Sequence, residues 1–544
     1  MGRIEPWICD VAVEKISDIN GSTVAVVFDI IPIDNEIERI KMATCIFNDW
    51  LNLYRFLFQV LSFIVLIGLF TPHVFATTIL MNPSRNSSDM YYLSFTDLSY
   101  EALHHISSPL DPNQPLGNSI ITQGDVIVRS NSIRQAFGAN GRGVKIGVIS
   151  NGAESYADAQ AAGELPDSLH ILTLGNGDEG TAIMEIIHDM APEAEIYFAA
   201  YGGNSDNFQD VVSMLAQLGC TIICDDVYFF AQPFFEKGDV ARHLEEVLAE
   251  YPDLIYVTVA GNFSILHYLD AARFTIPYAT GYLQDLSGMN LPFVTLEIPP
   301  SSRAIVTLQW SEPFNQAAID FDLIAVDAAG SVLAMSDGIQ DGFGDPFEHF
   351  TIQNPNTSPL IVHLGVLYLG TEPLISDSLY LEFFIRDQHP ALVSNPEIFT
   401  PQYAIFGHAA VPDIITVASV NSSSPDVITL DSSQGPALIV HPTLELIKKP
   451  DISTPTNVGV SGAGDFPMNF PGTSAAVPHI VAIIAQLASA FPDASRHEIK
   501  QALFEGCTDL GSPGWDPVYG FGLANAEKSY QILESIVHER LNGY

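Results

Sequence analysis

One serine of this chain lies in a sequence context that suits a nucleophile. The turn Gly472-Thr473-Ser474 leads into an apolar stretch, residues 480–490, which predicts a helix. Gly472 permits a tight turn that a side chain would obstruct. Ser474 then falls in the first helical turn, where unpaired N–H groups and the helix dipole stabilise negative charge. This placement suits a nucleophilic serine beside an oxyanion, although the turn alone also fits an ordinary helix N-cap.

Further polar residues follow short apolar runs of the kind that form buried strands. Asn151, Asp226 and Asn262 each lie at or near the end of such a run. In an open sheet of parallel strands, active sites lie at the carboxyl ends of the strands. We therefore expect these three residues and Ser474 at one edge of a sheet.

The segments that must position these residues alternate between strand and helix patterns. Predicted helices lie between the strands, and the same texture returns at Phe406 after an interruption. Such alternation predicts an α/β fold with a doubly wound, mostly parallel sheet covered on both faces. The predicted strands span residues 144–150, 194–200, 221–224, 254–259 and 414–420.

The interruption, residues 285–398, has a different texture. Short apolar runs alternate with Pro, Gly, Asn and Asp, which predicts an all-β, sandwich-like insert. Its acidic loops at Asp320–Asp322 and Asp337–Gly342 leave calcium open as a ligand. Solvated turn residues are the favoured interpretation of these loops, and no cofactor is predicted to be required.

The composition restricts the classes of partner. The chain of 544 residues has 21 basic and 64 acidic residues and a formal net charge of −43. This charge argues against nucleic acid and anionic membranes as partners. Cys220, Cys224 and Cys507 form neither a disulfide framework nor a zinc motif, so buried free thiols are the favoured interpretation.

The N-terminal region has the sequence pattern of a targeting signal. The apolar run 57–70 precedes Val74-Phe75-Ala76, a pattern typical of a signal peptide, with an uncleaved anchor as the alternative. Met42 stands where a start would be expected, so residues 1–41 are interpreted as an upstream extension or a cytoplasmic tail. The predicted segments are 1–41, signal peptide or anchor 42–76, linker or short pro-segment 77–118, first domain half 119–284, insert 285–398, second half 399–536 and tail 537–544.

The longer string around the serine, Pro471–His479, resembles the nucleophile motif of subtilisin-like serine proteases. The resemblance covers residues 120–280 and 400–535, and its strings occur in family order. It implies a serine endopeptidase of the subtilisin fold, with Ser474 as nucleophile and Asn262 in the oxyanion hole. The other matching strings are Ala260-Gly261-Asn262, Ser432–Pro436, Lys449–Ile452 and Gly520–Gly522.

Two family positions differ. The family's His-Gly-Thr is replaced by Glu179-Gly180-Thr181, and Asn151-Gly152 stands where an Asp-Ser-Gly or Asp-Thr-Gly turn is expected. A glutamate base is similar to that of the sedolisin branch of the fold, which implies that Glu179 is the general base. That branch also has an Asp one helical turn later, where this chain has Ile183, and an Asp in the oxyanion hole, where it keeps Asn262.

A glutamate base needs a pKa raised towards the working pH, and a second carboxylate nearby would raise it. Asp226 is the preferred partner and Asp178 the second choice, while a salt-bridged or solvated Asp pair is an equally good interpretation. Asn151 is expected to orient Glu179 by a hydrogen bond. The predicted catalytic residues are therefore Ser474, Glu179, Asn262, Asp226 and Asn151.

The favoured function is a secreted or cell-surface serine endopeptidase that acts on polypeptides and has no stable membrane span after signal cleavage. A pseudoprotease that binds peptides, or a surface module that works through its β insert, is the alternative. The sequence predicts neither the substrate preference nor the oligomeric state.

Overall fold

The computed structural model describes residues 120–542, apart from residue 280 and the stretches 387–390 and 393–394. Before residue 120 it describes two antiparallel strand pairs, β1 (Ser17–Asp18) with β2 (Val24–Ala25) and β3 (Val74–Ile79) with β4 (Leu93–Leu98). The apolar run 57–70 lies outside the described residues, so the signal peptide stays a prediction. The chain divides into the units Met1–Pro115 and Leu116–Tyr544, and the second contains every element below.

The second unit contains two larger sheets and two short antiparallel strand pairs, β22 with β23 and β25 with β26. Its strands are β5 (Lys145–Ser150), β6 (His170–Thr173), β7 (Glu195–Ala200), β8 (Ile222–Asp225), β9 (Ile255–Val259), β10 (His267–Tyr278), β11 (Gly281–Gln284), β12 (Val294–Ile298), β13 (Arg303–Trp310), β14 (Phe321–Val326), β15 (Val332–Ser336), β16 (Phe347–Gln353), β17 (Leu360–Tyr368), β18 (Leu374–Arg386), β19 (Ala391–Leu392), β20 (Ile415–Asn421), β21 (Ser424–Ile428), β22 (Ala437–Ile439), β23 (Glu445–Ile447), β24 (Ile452–Thr456), β25 (Val458–Gly459) and β26 (Asn469–Phe470).

The α-helices of this unit all lie outside the stretch from β10 to β19. They are α1 (Gly124–Ile127), α2 (Ser130–Phe137), α3 (Tyr156–Ala162), α4 (Glu179–Met190), α5 (Ser205–Gln217), α6 (Asp239–Glu250), α7 (Gly472–Ala490), α8 (Arg496–Glu505) and α9 (Ala526–Asn542).

The central sheet has the strand order β21-β20-β9-β8-β5-β7-β6, with β24 added beside β20. All its pairs are parallel except the β20–β21 hairpin. Strands such as β8 and β9 are buried along their whole length, because α4 and α7 cover one face and α5 and α6 the other. The predicted doubly wound, mostly parallel sheet is therefore confirmed.

Helix α7 is the core helix of this domain. Every residue from Gly472 to Leu487 is buried, which explains why the helix is apolar all round. In the part of the chain that the structure describes, it is the one helix long and apolar enough to cross a membrane, and 83% of its apolar window is buried inside the protein. Its length and composition therefore follow from its place in the core.

The insert is an antiparallel sheet of ten strands, β10 to β19. Its edge strands β15 and β16 contact each other, so the sheet curls around its own core, which includes Phe274, Trp310 and Phe321. The predicted all-β insert is present, but its start is wrong. Strand β10 begins at His267 and pairs with β18, which places the boundary before residue 285.

The insert is fastened to the central domain at the loop after β8. The buried side chain of Gln309 accepts a hydrogen bond from Phe234 N at 2.9 Å and donates to the carbonyl oxygens of Phe230 and Gln232 at 3.1 and 2.9 Å. Aromatic rings from both domains pack around the same loop, with Phe384 against Phe230 at 5.4 Å between centroids. The insert thus has a fixed position beside the carboxyl edge of the sheet.

The structure also tests the predictions for the C-terminal tail and for the cysteines. Helix α9 continues to Asn542, so residues 537–542 are part of a helix and the predicted tail at 537–544 is wrong in that stretch. Cys220, Cys224 and Cys507 are free thiols, the first two buried.

Candidate active site

Ser474 is the third residue of α7, at the bottom of a cleft. The turn before it depends on Gly472, whose φ of +83° is in the left-handed region. The carbonyl oxygen of Gly472 accepts a hydrogen bond from Thr456 Oγ1 at 2.8 Å, which ties the turn to β24. Ser474 is only 7% exposed, yet it lines the cleft.

Asn262 faces the same cleft from the end of β9. Its Oδ1 accepts hydrogen bonds from Thr473 N at 2.8 Å and Thr473 Oγ1 at 3.0 Å. This network assigns the side-chain amide, so Nδ2 lies on the side of Gly472 and remains as a donor. An amide donor fixed beside a serine has the arrangement of an oxyanion hole.

Glu179 and Asp226 meet beside Ser474. The Glu179 carboxyl at the start of α4 lies within hydrogen-bonding range of both the Ser474 hydroxyl and the Asp226 carboxyl. Both acidic residues are half-buried, and Asp226 lines the cleft. The structure therefore brings together Ser474, Glu179 and Asp226, with Asn262 in the same cleft.

The pKa values of the two carboxyls are both raised, and each group affects the other. Burial raises the pKa of Glu179 above its usual value, and hydrogen bonds with Ser474 and Asp226 oppose part of that rise. Burial, and then the charge of Glu179, raises the pKa of Asp226 well above its usual range. Adjacent carboxylates resist ionising together. We therefore expect the pair to lose its two protons in separate steps.

Ser150 is a site residue that the sequence reasoning missed. It is the last residue of β5, fully buried, and its Oγ donates to Asp226 Oδ2 at 3.0 Å. Counted back from Gly152, the first position of the expected three-residue turn is Ser150 and the second is Asn151. Ser150 therefore stands at the position of the family's Asp, and the assignment of that position to Asn151 is corrected. The sequence alone was sufficient to place Ser150 at this position.

Asn151 lies at the same strand end but faces elsewhere. It is exposed, its side chain lies next to Gly177, and its backbone oxygen accepts from Asn176 N at 3.1 Å. Among the described residues no hydrogen bond joins Asn151 to Glu179, so the expected orienting bond is replaced by the contacts of Ser474 and Asp226.

The neighbouring acids Asp178 and Asp225 are occupied by structural contacts. Asp178 accepts hydrogen bonds from Ser155 N at 2.6 Å, Ser155 Oγ at 3.0 Å and Thr181 Oγ1 at 3.1 Å. Asp225 is buried and accepts from Thr258 Oγ1 at 2.9 Å, with His408 Nε2 at 3.2 Å. Of the two candidate partners for Glu179, Asp226 is the one in contact with it.

The cleft has a volume of about 390 Å³ and lies between the central domain and the insert. Asp226, Asn262 and Ser474 line it from the central domain, while β13 and β18 contribute side chains from the insert. Such a volume is in the range of small-molecule and side-chain pockets. The cleft can therefore accept a substrate side chain beside the serine.

The acidic loops of the insert are only partly engaged by protein contacts, because Asp322 Oδ2 is buried without a hydrogen-bond partner. Asp320 Oδ1 accepts from Gln340 N at 3.2 Å, and burial raises the pKa of Asp322 to about 7. Across the described ranges, no group of three or more His, Cys, Asp or Glu side chains is arranged to hold a metal ion. Calcium binding at these loops remains a prediction.

Comparisons with known proteins agree with this geometry. Residues 395–522 match the model described as the subtilase family. A thermostable alkaline protease of Halalkalibacterium halodurans is 34% identical over 82 residues, which is 15% of this chain and 22% of that protein. Fervidolysin of Fervidobacterium pennivorans is 32% identical over 75 residues, 14% of this chain and 11% of that protein. The matched stretches thus span less than a quarter of either relative.

A solved structure extends the likeness to the whole fold. The CspB protease of Clostridium perfringens superimposes with a TM-score of 0.50 at 14% sequence identity, over 76% of this chain and 99% of that one. At this identity the likeness establishes the fold alone.

Proposed function

We propose that this chain, which has the fold of the subtilisin-like serine protease superfamily, is a serine endopeptidase with a glutamate as general base. The observation that carries the proposal is the contact of the Glu179 carboxyl with both Ser474 and Asp226. Nucleophile and base lie within reach, and the base is held by a third group, which is the general arrangement of an activated serine.

In the first step, Ser474 Oγ attacks the carbonyl carbon of a peptide bond while its proton passes to ionised Glu179. The oxygen of the tetrahedral intermediate becomes negatively charged and accepts a hydrogen bond from Asn262 Nδ2. N–H groups of the first turn of α7, which have no intrahelical acceptor, stabilise the same charge. Because Asn262 does not ionise, this donor is present at every pH of interest.

In the second step, protonated Glu179 gives its proton to the leaving amine, and the C–N bond breaks to leave an ester on Ser474. Water then enters, gives a proton to Glu179 and attacks the ester carbon. Collapse of the second intermediate returns the proton to Ser474 and releases the acid product. Asp226 keeps its own proton throughout and holds Glu179 by donating to it.

We propose that the protein acts outside the cell or at its surface, on polypeptides. The apolar run 57–70 followed by Val74-Phe75-Ala76 supports export, and the net charge of −43 suits an extracellular protein in salty or acidic surroundings.

A fluorophosphonate probe tests the proposed function directly, since it reacts with an activated serine. The parent protein should be labelled at Ser474 and should degrade casein at acid to neutral pH. Ser474→Ala should lose both properties, and Glu179→Gln should lose about 10²–10⁴-fold in kcat. A folded parent that neither reacts nor cleaves at any pH, with any pro-segment removed, would refute the protease and favour the pseudoprotease.

A further inference from the structure

Asp226 lies on a turn whose shape is fixed by the buried side chain next to it. Asp225, the last residue of β8, is 1% exposed, and its Oδ1 accepts a hydrogen bond from Val227 N at 2.9 Å. A carboxylate that accepts from the N–H group two residues later closes an Asx turn. This turn encloses the backbone of Asp226, with buried residues on either side of it. The backbone from which Asp226 reaches Glu179 therefore has a defined position.

Two residues from other parts of the chain hold the Asp225 carboxylate. Thr258 Oγ1 on the neighbouring strand β9 donates to its Oδ1 at 2.9 Å, and His408 Nε2 lies 3.2 Å from the same atom. Nε2 is the donor there, because a carboxylate oxygen only accepts. Thr258 and His408 are both buried. A buried His–carboxylate pair is a poor stabiliser compared with apolar packing, since both groups lose their water. Positioning explains this pair better than stability does.

The side chain of Asp226 is held from another strand. Ser150 ends β5, which lies beside β8 in the sheet, and its Oγ donates to Asp226 Oδ2 at 3.0 Å. Ser150 is fully buried, so this donor comes from the rigid interior of the sheet. Ser150 thus restrains the rotation of the carboxyl group, while Asp225 restrains the backbone that carries it.

We propose that Ser150, Asp225 and His408 are positioning residues that hold the Asp226 carboxyl against Glu179. This inference rests on the proposed function and adds three residues to it. None of the three is among the residues that line the cleft, so their loss should lower kcat and leave KM unchanged. A misplacement of about 1 Å in a catalytic arrangement can cost about 10²-fold in rate.

The pH profile provides a readout that a purely structural role would not change. The titratable groups around Asp226 are Glu179 on α4, Asp225 on its own strand and Tyr201 after β7. Burial and then the charge of Glu179 raise the pKa of Asp226, whereas the hydrogen bond from Ser150 lowers it, because a donor stabilises the ionised carboxylate. Removing this donor should therefore move the limb of the profile that Asp226 sets to higher pH.

The first test replaces Ser150 by alanine and measures kcat and KM on a fluorogenic peptide from pH 3 to 10. We expect kcat to fall about 10-fold and the limb set by Asp226 to rise by about 1 pH unit, with KM unchanged. Ser453→Ala is the matched control, because Ser453 is a fully buried serine on β24 of the same sheet whose Oγ donates to Tyr519 O at 3.0 Å. It should lower the Tm by a similar amount and leave kcat and the pH profile unchanged.

The second test changes His408, which acts only through Asp225. His408→Leu removes the donor to Asp225 and should lower kcat by about 10- to 100-fold. His408→Gln keeps a side-chain N–H group and should recover most of this loss. Titration with the fluorophosphonate probe counts the reactive serines in each preparation, so unfolded molecules do not lower the measured kcat.

The outcomes separate the inference from the proposed function. Ser150→Ala and His408→Leu variants that lose Tm but keep the parent's kcat and pH profile would overturn the inference and leave the protease intact. A His408→Gln variant as impaired as His408→Leu would also count against it.

If the parent cleaves no peptide, the proposed function fails, and crystal structures of the parent, Ser150→Ala and His408→Gln then decide the positioning. An Asp226 carboxyl that moves away from Glu179 in Ser150→Ala but not in His408→Gln would support the inference. A carboxyl that stays in place without the Ser150 hydroxyl would overturn it.

Discussion

Replacing Asp226 by asparagine distinguishes the roles of the two carboxyl groups that meet beside Ser474. Asparagine keeps a neutral donor towards Glu179 and an oxygen that can accept from Ser150, but it has no proton to lose. In the parent, activity requires Glu179 ionised and Asp226 protonated, which gives a bell-shaped dependence of kcat/KM on pH. The variant should keep the acid limb and lose the alkaline one.

The size of the effect follows from the contact of the two groups. Two unit charges about 4 Å apart interact with about 4 kcal/mol at an effective dielectric constant of 20. That repulsion adds to the rise that burial causes in the pKa of Asp226. The parent's alkaline limb should therefore lie well above its acid limb. The acid limb itself should lie above the usual glutamate value of 4.5, because burial raises the pKa of Glu179.

The assay is peptide cleavage followed from pH 3 to 10, with kcat/KM fitted at each pH for parent, Asp226→Asn and Glu179→Gln. Circular dichroism controls for the fold. An Asp226→Asn variant with an unchanged alkaline limb would show that another group loses the critical proton. An inactive but folded Asp226→Asn variant would show that Asp226 must be ionised, which would refute the shared-proton arrangement.

Three further results are expected. Asn262→Ala should lower kcat by about 10²–10³-fold with little change in KM. The rate of cleavage should therefore fall by the same factor at saturating and at low substrate concentration. A variant with a higher KM and an unchanged kcat would contradict this prediction. Gly472→Ala should cost about 1–2 kcal/mol of unfolding free energy in urea and also reduce kcat, because φ is +83° and the new Cβ would lie 2.8 Å from Asn262 Nδ2. Burial raises the pKa of Glu185 to about 7 and of Asp189 to about 8. These folded-state values exceed the unfolded ones, so their stabilisation is present in acid and is lost as pH rises to 8. The Tm should fall by at least about 5 °C from pH 5 to pH 8, and Glu185→Gln with Asp189→Asn should flatten that slope; a parent Tm independent of pH would contradict it.

The central domain was predictable because its signals are local. Buried parallel strands read as continuous apolar runs, and β8 and β9 lie within one residue of their predicted starts. The turn before Ser474 and the position of Asn262 were also visible, since a glycine with positive φ and a strand end are properties of a few adjacent residues. The start of the insert was missed because β10 follows β9 closely, and only its pairing with β18 assigns it to the second sheet.

The sequence by itself determined the candidates for the proposed chemistry: a serine at a helix start, an amide at a strand end, and acids at or near strand and helix ends. The tertiary structure decided which of them meet. The sequence ranked Asp226 above Asp178 as the partner of Glu179, and the contacts distinguish them: Ser155 and Thr181 bind Asp178, while Ser150 and Glu179 contact Asp226. Proton sharing depends on a few ångströms and on burial, and both are set by strands and helices that are distant in the chain.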